Sequence, residues 1–202
     1  MDDNGRVRSL RDATELQKIV SLVLDRAGPG AAGLEYRLVG TGAALAQGVH
    51  LPTGDLDILV ARRADVDEFA AALSEFPCLT SPVWLRDAQQ YFARFAIDEI
   101  DVDISTVERP VASDALECVG RGPWEHYVPV RFGRYIVPAV SLELRLASEL
   151  FRDRPDRYEP LIEHLRLHGA DLPLAHRAMT DRGVNAMLRE QILDRLQPRP
   201  AG

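Results

Sequence analysis

Two aspartates one residue apart, Asp55 and Asp57, open the apolar run in "PTGDLDILV", and a glycine turn, "VGTGAAL", lies just before them. Side chains two apart on a strand point to the same face, so the two carboxylates converge on one spot. Parallel carboxylates about 7 Å or less apart repel each other unless a cation lies between them. Magnesium accepts one or two carboxylates together with phosphate oxygens and water. The amides of Gly40–Gly42 and the hydroxyl of Thr41 stand at a helix start, where phosphate is held well. A third carboxylate from a neighbouring strand would complete a two-metal site, and "IDVDIS" offers Asp101 and Asp103 on a common face. Together these parts suit attack on the α-phosphorus of a nucleoside triphosphate.

A dinucleotide fingerprint is the competing use of Gly40-Thr41-Gly42. Its third glycine is missing, because Leu45 stands there, and Gly48 ends the helix too soon for an ordinary crossover. In that fold the acid belongs at the end of the second strand, whereas here the acids stand at its beginning.

The elements that must position these residues can be read from periodicity. Residues 12–27 carry Leu16, Ile19, Val20, Val23 and Leu24 on one helical face, and "GPGAAG" breaks that helix. Tyr36–Val39 reads as a short strand, Gly40–Gly42 as a turn into a helix of about two turns, and Leu56–Val60 as an apolar strand. A helix from Asp65 to about Glu75 would take Asp65 as its cap. After Pro82 the texture becomes β: "QYFARFAI" and "EIDVDIST" alternate around a bend at Asp98-Glu99, and "YVPVRFGRYIVPAVS" turns at Gly133. From Ser141, a plausible N-cap, the chain reads as helical; Gly169 and Pro173 end one helix, and "NAMLREQILDRLQP" is another amphipathic stretch. The expectation is a mixed α/β domain over residues 1–138 with a helical region over 139–202.

Composition narrows the partners. The net charge is −7, and residues 1–140 hold 21 acids against 14 bases, whereas the remainder is balanced at ten of each. An acidic core speaks against non-specific binding of a nucleic-acid backbone, which relies on basic surfaces. No run of about 18 apolar residues suggests a membrane span, and the charged start "MDDNGRVRSLRD" lacks the apolar stretch of a secretory signal. Cys78 and Cys118 are too few and too far apart for a disulfide framework or a zinc knuckle. A cytoplasmic protein is expected.

The motifs resemble the signature of the nucleotidyltransferase superfamily related to DNA polymerase β: a glycine turn, a short helix, a D-h-D strand, then a third acid. Here they are Gly40-Thr41, Thr53-Gly54-Asp55-Leu56-Asp57 and Val102-Asp103-Ile104. The likeness covers about residues 35–105 and is greatest to small stand-alone bacterial and archaeal members, including antibiotic nucleotidyltransferases and abortive-infection-type toxins. Many members have Gly-Ser or Gly-Gly where this chain has Gly40-Thr41, and the interval to the first aspartate is longer here than in the most compact ones. The resemblance implies an α/β (α+β) fold, a mixed sheet flanked by helices with a helical region after it. It implies a Mg²⁺-dependent enzyme that moves an NMP from an NTP, with ATP the expected donor, to an acceptor hydroxyl and releases pyrophosphate. Asp55 and Asp57 would hold the magnesium ions. Asp103 is preferred to Asp101 as third ligand, because the family's third acid tends to lie late in its strand, and it would help deprotonate the acceptor. Gly40, Thr41 and Gly42 would hold the β- and γ-phosphates. A small cationic hydroxylated acceptor suits the acidic domain better than tRNA. The alternatives are a toxin-type enzyme acting on tRNA or a protein, and a nucleotide-binding module without chemistry.

Other charged residues have plainer uses. Arg62-Arg63 could neutralise triphosphate but reads better as a surface pair. Arg152, Arg154 and Arg157 are interleaved with Asp153 and Asp156 and suit salt bridges, with contact to a nucleotide or an acidic acceptor as the alternative use. His164 and His168 are four apart on a helix with no third ligand spaced to join them, and Tyr91, Phe92 and Phe95 read as strand packing.

Overall fold

The computed structural model describes residues 8–28, 34–109 and 117–198. The charged start at 1–7 and most of the "GPGAAG" break therefore lie outside the described residues. Helix α1 (Ala13–Ala27) is capped by Asp12, whose side chain accepts from the Glu15 amide at 2.9 Å. It buries the five apolar residues that share its face. Strand β1 (Tyr36–Val39) passes directly into α2 (Gly40–Ala46), and β2 (Asp55–Val60) returns antiparallel to β1.

Helix α3 spans Arg63–Ala72, so it starts before Asp65 and corrects the reading of that residue as its cap. Asp65 sits in the first turn and accepts from the Arg62 amide at 3.2 Å, fixing the entry of the chain from inside the helix. Strand β3 (Cys78–Leu85) begins well before Pro82. Proline is tolerated there because β3 is an edge strand whose pairing with β4 (Gln90–Ile97) shifts register between Thr80 and Val83. Asp98 and Glu99 both adopt positive φ, 51° and 66°, and close a two-residue hairpin into β5 (Ile100–Ser105).

A short α4 (Gly122–Glu125) leads into the hairpin of β6 (Tyr127–Phe132) and β7 (Tyr135–Val140), turning at Gly133. Helices α5 (Leu142–Phe151), α6 (Pro155–His168), α7 (Leu172–Asp181) and α8 (Ala186–Leu196) follow. Helix α7 is the element that periodicity overlooked. Pro173 lies in its first turn, where the missing N–H costs nothing, and Asp171 caps it by accepting from the Leu174 amide at 2.8 Å.

The seven strands form one mixed sheet in the order β3-β4-β5-β2-β1-β7-β6. Strands β2 and β5 are parallel, as are β1 and β7, and the other neighbours are antiparallel. Leu56, Ile58, Leu59, Val102 and Ile104 lie in the middle of the sheet and are buried together with Leu16, Ile19 and Phe69 from the helices. These central strands carry the acidic residues, Asp55 and Asp57 at the start of β2 and Asp101 and Asp103 within β5.

Candidate active site

The parallel register of β2 and β5 sets Asp55 beside Asp101 and Asp57 beside Asp103, so all four carboxylates belong to one face of the sheet. Asp55, Asp57 and Asp103 each offer an oxygen within 4.8 Å of the others. Asp101 is not a member of that group; it belongs one pair further back along the strands.

Next to the triad, Val39 pairs with Asp57 across β1 and β2, which brings Gly40 against the Asp57 side chain. Gly40 has φ +66°, and a Cβ built on it would collide with Asp57 Oδ2. Glycine is needed here for the close approach of a carboxylate as well as for the turn. Thr41 is buried at the same corner, and its carbonyl accepts from Thr53 Oγ1 at 3.5 Å, which ties the loop before β2 to the turn. A Cβ on Gly42 would meet Leu38, Leu56 and Leu16 at 3.6–3.8 Å, so this glycine faces the core.

These residues line a cleft of about 520 Å³, whose walls include Val39, Gly40, Thr41, Asp55, Asp57 and Asp103. Its wall towards β4 is made by Gln90, Phe92 and Arg94, and its far end by Glu117, Arg145 and Arg157. Burial, together with the charges of Asp55 and Asp103, pushes the Asp57 carboxyl well above the usual carboxylate range, with Arg145 opposing. Asp103 is also raised, chiefly by burial, although Arg94 pulls against it.

Three oxygen-donor side chains gathered this closely, with the ionised forms of Asp57 and Asp103 disfavoured by burial and by neighbouring carboxylates, fit a hard divalent cation. Magnesium is the ion that keeps phosphate oxygens and water as its remaining ligands.

Sequence reasoning missed the charged residues behind the triad. Glu117 is fully buried; its Oε1 accepts the Gly40 N–H at 2.8 Å and lies 3.2 Å from Arg145 Nη1. Arg145 also pairs with Glu149, and Glu149 is approached by Arg152 at 3.3 Å and Arg157 at 3.5 Å. The helical region thus reaches the cleft through Arg145 and Arg157. Arg145 and Glu149, opposite charges one turn apart among the leucines of the helix, were the available signal. Arg94 was missed as well: its Nε and Nη2 bind the two oxygens of Asp103 at 2.6 Å each, and its Nη1 lies 3.5 Å from Asp101 Oδ2.

Arg62, Arg63, Arg154, His164 and His168 are not among the residues that line the cleft. Arg62 pairs with Asp65, and Arg63 binds Glu108 at 2.7 Å while its guanidinium lies 4.4 Å from the Trp84 ring centre. Arg154 pairs with Asp156 at 2.7 Å. His164 and His168 stack on each other, and neither belongs to a group of potential metal ligands among the described residues.

No protein-family model matches the chain, and no curated protein matches it in sequence. Among solved structures it is similar to a Thermotoga maritima protein named as a candidate nucleotidyltransferase, at 19% identity and a TM-score of 0.55. That match covers 78% of this chain and 97% of the other. The chain has the nucleotidyltransferase fold. An antigenic nucleotidyltransferase-like protein from Paracoccidioides brasiliensis also aligns, over 94% of this chain and 96% of its own, at 12% identity and a TM-score of 0.49. The acidic triad stands on two adjacent strands, β2 and β5, of this nucleotidyltransferase fold, and the glycine turn follows β1 on the other side of β2.

Proposed function

We propose that the protein is a magnesium-dependent nucleotidyltransferase that moves an NMP from an NTP, with ATP as the donor, to the hydroxyl of an acceptor. The observation that carries this reading is the convergence of Asp55, Asp57 and Asp103 within 4.8 Å at the floor of a cleft beside the Gly40-Thr41 turn. Asp55 and Asp57 would hold the metal, and Asp103 would complete the site. Bound magnesium supplies charge neutralisation at the reacting phosphate and a hydroxyl made easier to deprotonate. Asp103 would also help to deprotonate the acceptor hydroxyl. The Thr41 hydroxyl and the amides of Thr41 and Gly42 at the helix start would be the chain's own donors for the terminal phosphates; the Gly40 N–H is already given to Glu117. Attack by the acceptor oxygen forms its bond to the α-phosphorus as the bond to the bridging oxygen breaks, and pyrophosphate leaves.

A small hydroxylated acceptor fits this cleft better than tRNA. Each arginine that lines it, Arg94, Arg145 and Arg157, is already in an ion pair with an acid, so the lining offers no basic track for a nucleic-acid backbone. The free thiols of Cys78 and Cys118 suit the cytoplasm, where NTPs are abundant. No helix among the described residues is long and apolar enough to cross a membrane.

Calorimetric titration of a non-hydrolysable ATP analogue tests the reading. Binding by the wild type in Mg²⁺ but not in EDTA, and its loss in Asp55→Asn/Asp57→Asn, is the expected result. Metal-independent binding that survives the double substitution would instead make the protein a nucleotide-binding module with its ligand elsewhere.

A further inference from the structure

Arg94 stands four residues before the β4–β5 turn and Asp103 four residues after it, so the hairpin register places them directly opposite each other. The guanidinium covers both Asp103 oxygens at 2.6 Å in a two-bond fork. A carboxylate held in this way is a poor ligand for a divalent ion, because the ion and the arginine compete for the same charge. The neighbouring acid is in the opposite condition. Asp101 Oδ1 is buried and accepts no hydrogen bond, and Oδ2 lies 3.5 Å from Arg94 Nη1. Arg94 itself is about one-third exposed at 35% and lines the cleft, so it has room to move. A receiving carboxylate with an unused oxygen lies within reach of the arginine that blocks the triad.

We propose that Arg94 is a two-position guard of the third carboxylate, paired with Asp103 in the metal-free protein and transferred to Asp101 when a divalent ion takes Asp103. This rests on the metal-dependent reading given above and deepens it. It assigns separate tasks to the two acids of "IDVDIS": Asp103 ligates, and Asp101 accepts the displaced arginine without touching the ion. Arg94 offsets the charge of Asp103 alone, which limits the repulsion among the acids without removing it, and an ion takes Asp103 only where another carboxylate is free to take over the arginine.

The test uses Mn²⁺ alone as probe, with bound ion read by electron paramagnetic resonance on the full chain. Arg94→Gln is expected to tighten Mn²⁺ binding about tenfold by removing a competing cation. Asp101→Asn is expected to weaken binding by about threefold to tenfold, because the displaced arginine has lost its partner. In the Arg94→Gln background the Asp101→Asn change is expected to have no effect. Arg94→Lys keeps the charge without the fork and should fall between wild type and Arg94→Gln, which serves if the glutamine variant does not fold. Equal affinity in wild type and Arg94→Gln would overturn the proposal. So would an Asp101→Asn loss that is the same in both backgrounds, since Asp101 would then be a direct ligand. If Asp57→Asn binds Mn²⁺ as well as wild type does, the metal-site reading itself falls, and the guard falls with it.

Discussion

Gly40→Ala separates two reasons for a glycine at the turn. If Gly40 serves only to let a phosphate approach the backbone, alanine should leave the ligand-free protein almost unchanged. The geometry demands more. At φ +66° an L-residue pays about 1–2 kcal/mol for left-handed backbone, and the added Cβ would strike Asp57 Oδ2, a half-buried group with little freedom to retreat. Overpacking of this kind costs about 1–3 kcal/mol, so a total near 3 kcal/mol is expected. In a chain of this length each kcal/mol lowers the thermal midpoint by about 2–4 °C, giving a loss of about 6–12 °C in EDTA. Mn²⁺ affinity should fall as well, because Asp57 is the group displaced. Gly42→Ala makes the control two residues away. Its Cβ would find ordinary contacts at 3.6–3.8 Å, and replacing glycine inside a helix stabilises by about 0.5–1 kcal/mol. The assay is differential scanning fluorimetry without metal, followed by metal titration. A Gly40→Ala midpoint within a degree or so of wild type, with unchanged Mn²⁺ binding, would refute the assignment of Gly40 to Asp57.

Asp57→Asn should raise the thermal midpoint in EDTA at neutral pH. The Asp57 carboxyl is raised by folding, so its proton stabilises the native state below the ordinary carboxylate range, and that contribution is lost as pH rises through the folded value. The advantage of the Asp57→Asn variant over wild type should therefore grow from about pH 4 upward and shrink when Mg²⁺ is added; a pH-independent difference would contradict this. Arg145→Met leaves Glu117 and Glu149 buried without their shared cation and should cost about 3–5 kcal/mol in urea denaturation. Arg145→Met with Glu117→Gln should recover part of that loss, and strict additivity would show that the two residues do not act as a pair. Arg62→Ala and Arg63→Ala should leave nucleotide affinity unchanged in calorimetry, because both side chains are paired away from the cleft; a marked loss in either would return these residues to the triphosphate.

What the sequence revealed and what it hid divide along the range of the interactions. The α1 stripe, the Asp98-Glu99 turn and the Ser141 helix start depend on neighbours within a few residues, and all are found near where periodicity puts them. Pro173 misled because a proline that can close one helix can equally sit in the first turn of the next, and the Asp171 cap decides between them. That Asp55 and Asp57 share a face follows from strand geometry alone. Which of Asp101 and Asp103 joins them depends on the parallel register of β2 against β5, set by packing between segments about 40 residues apart. Arg94 could have been found. Once a two-residue turn is placed at Asp98-Glu99, its position opposite Asp103 is fixed. Glu117 could not, since nothing local signals that a glutamate will be buried against the Gly40 amide.

The charges of the cleft also bear on how a triphosphate could enter it. Four acids line the cleft, Asp55, Asp57, Asp103 and Glu117, against three arginines that are each engaged by an acid. One of the turn's amides, that of Gly40, already donates to Glu117. A bare nucleotide would thus meet carboxylates at the floor and an occupied amide at the turn, and repulsion at such short range outweighs the few hydrogen bonds that Thr41 could add. Divalent ions at the aspartates reverse the sign of that floor. Metal and nucleotide should therefore bind with strong positive coupling, each raising the other's affinity by the same factor. The check is a pair of titrations, nucleotide analogue at several Mg²⁺ concentrations and Mn²⁺ with and without the analogue. Equal factors from the two directions support an entry led by the metal, and a nucleotide affinity indifferent to metal would show that the arginines, not the aspartates, set the sign of the site.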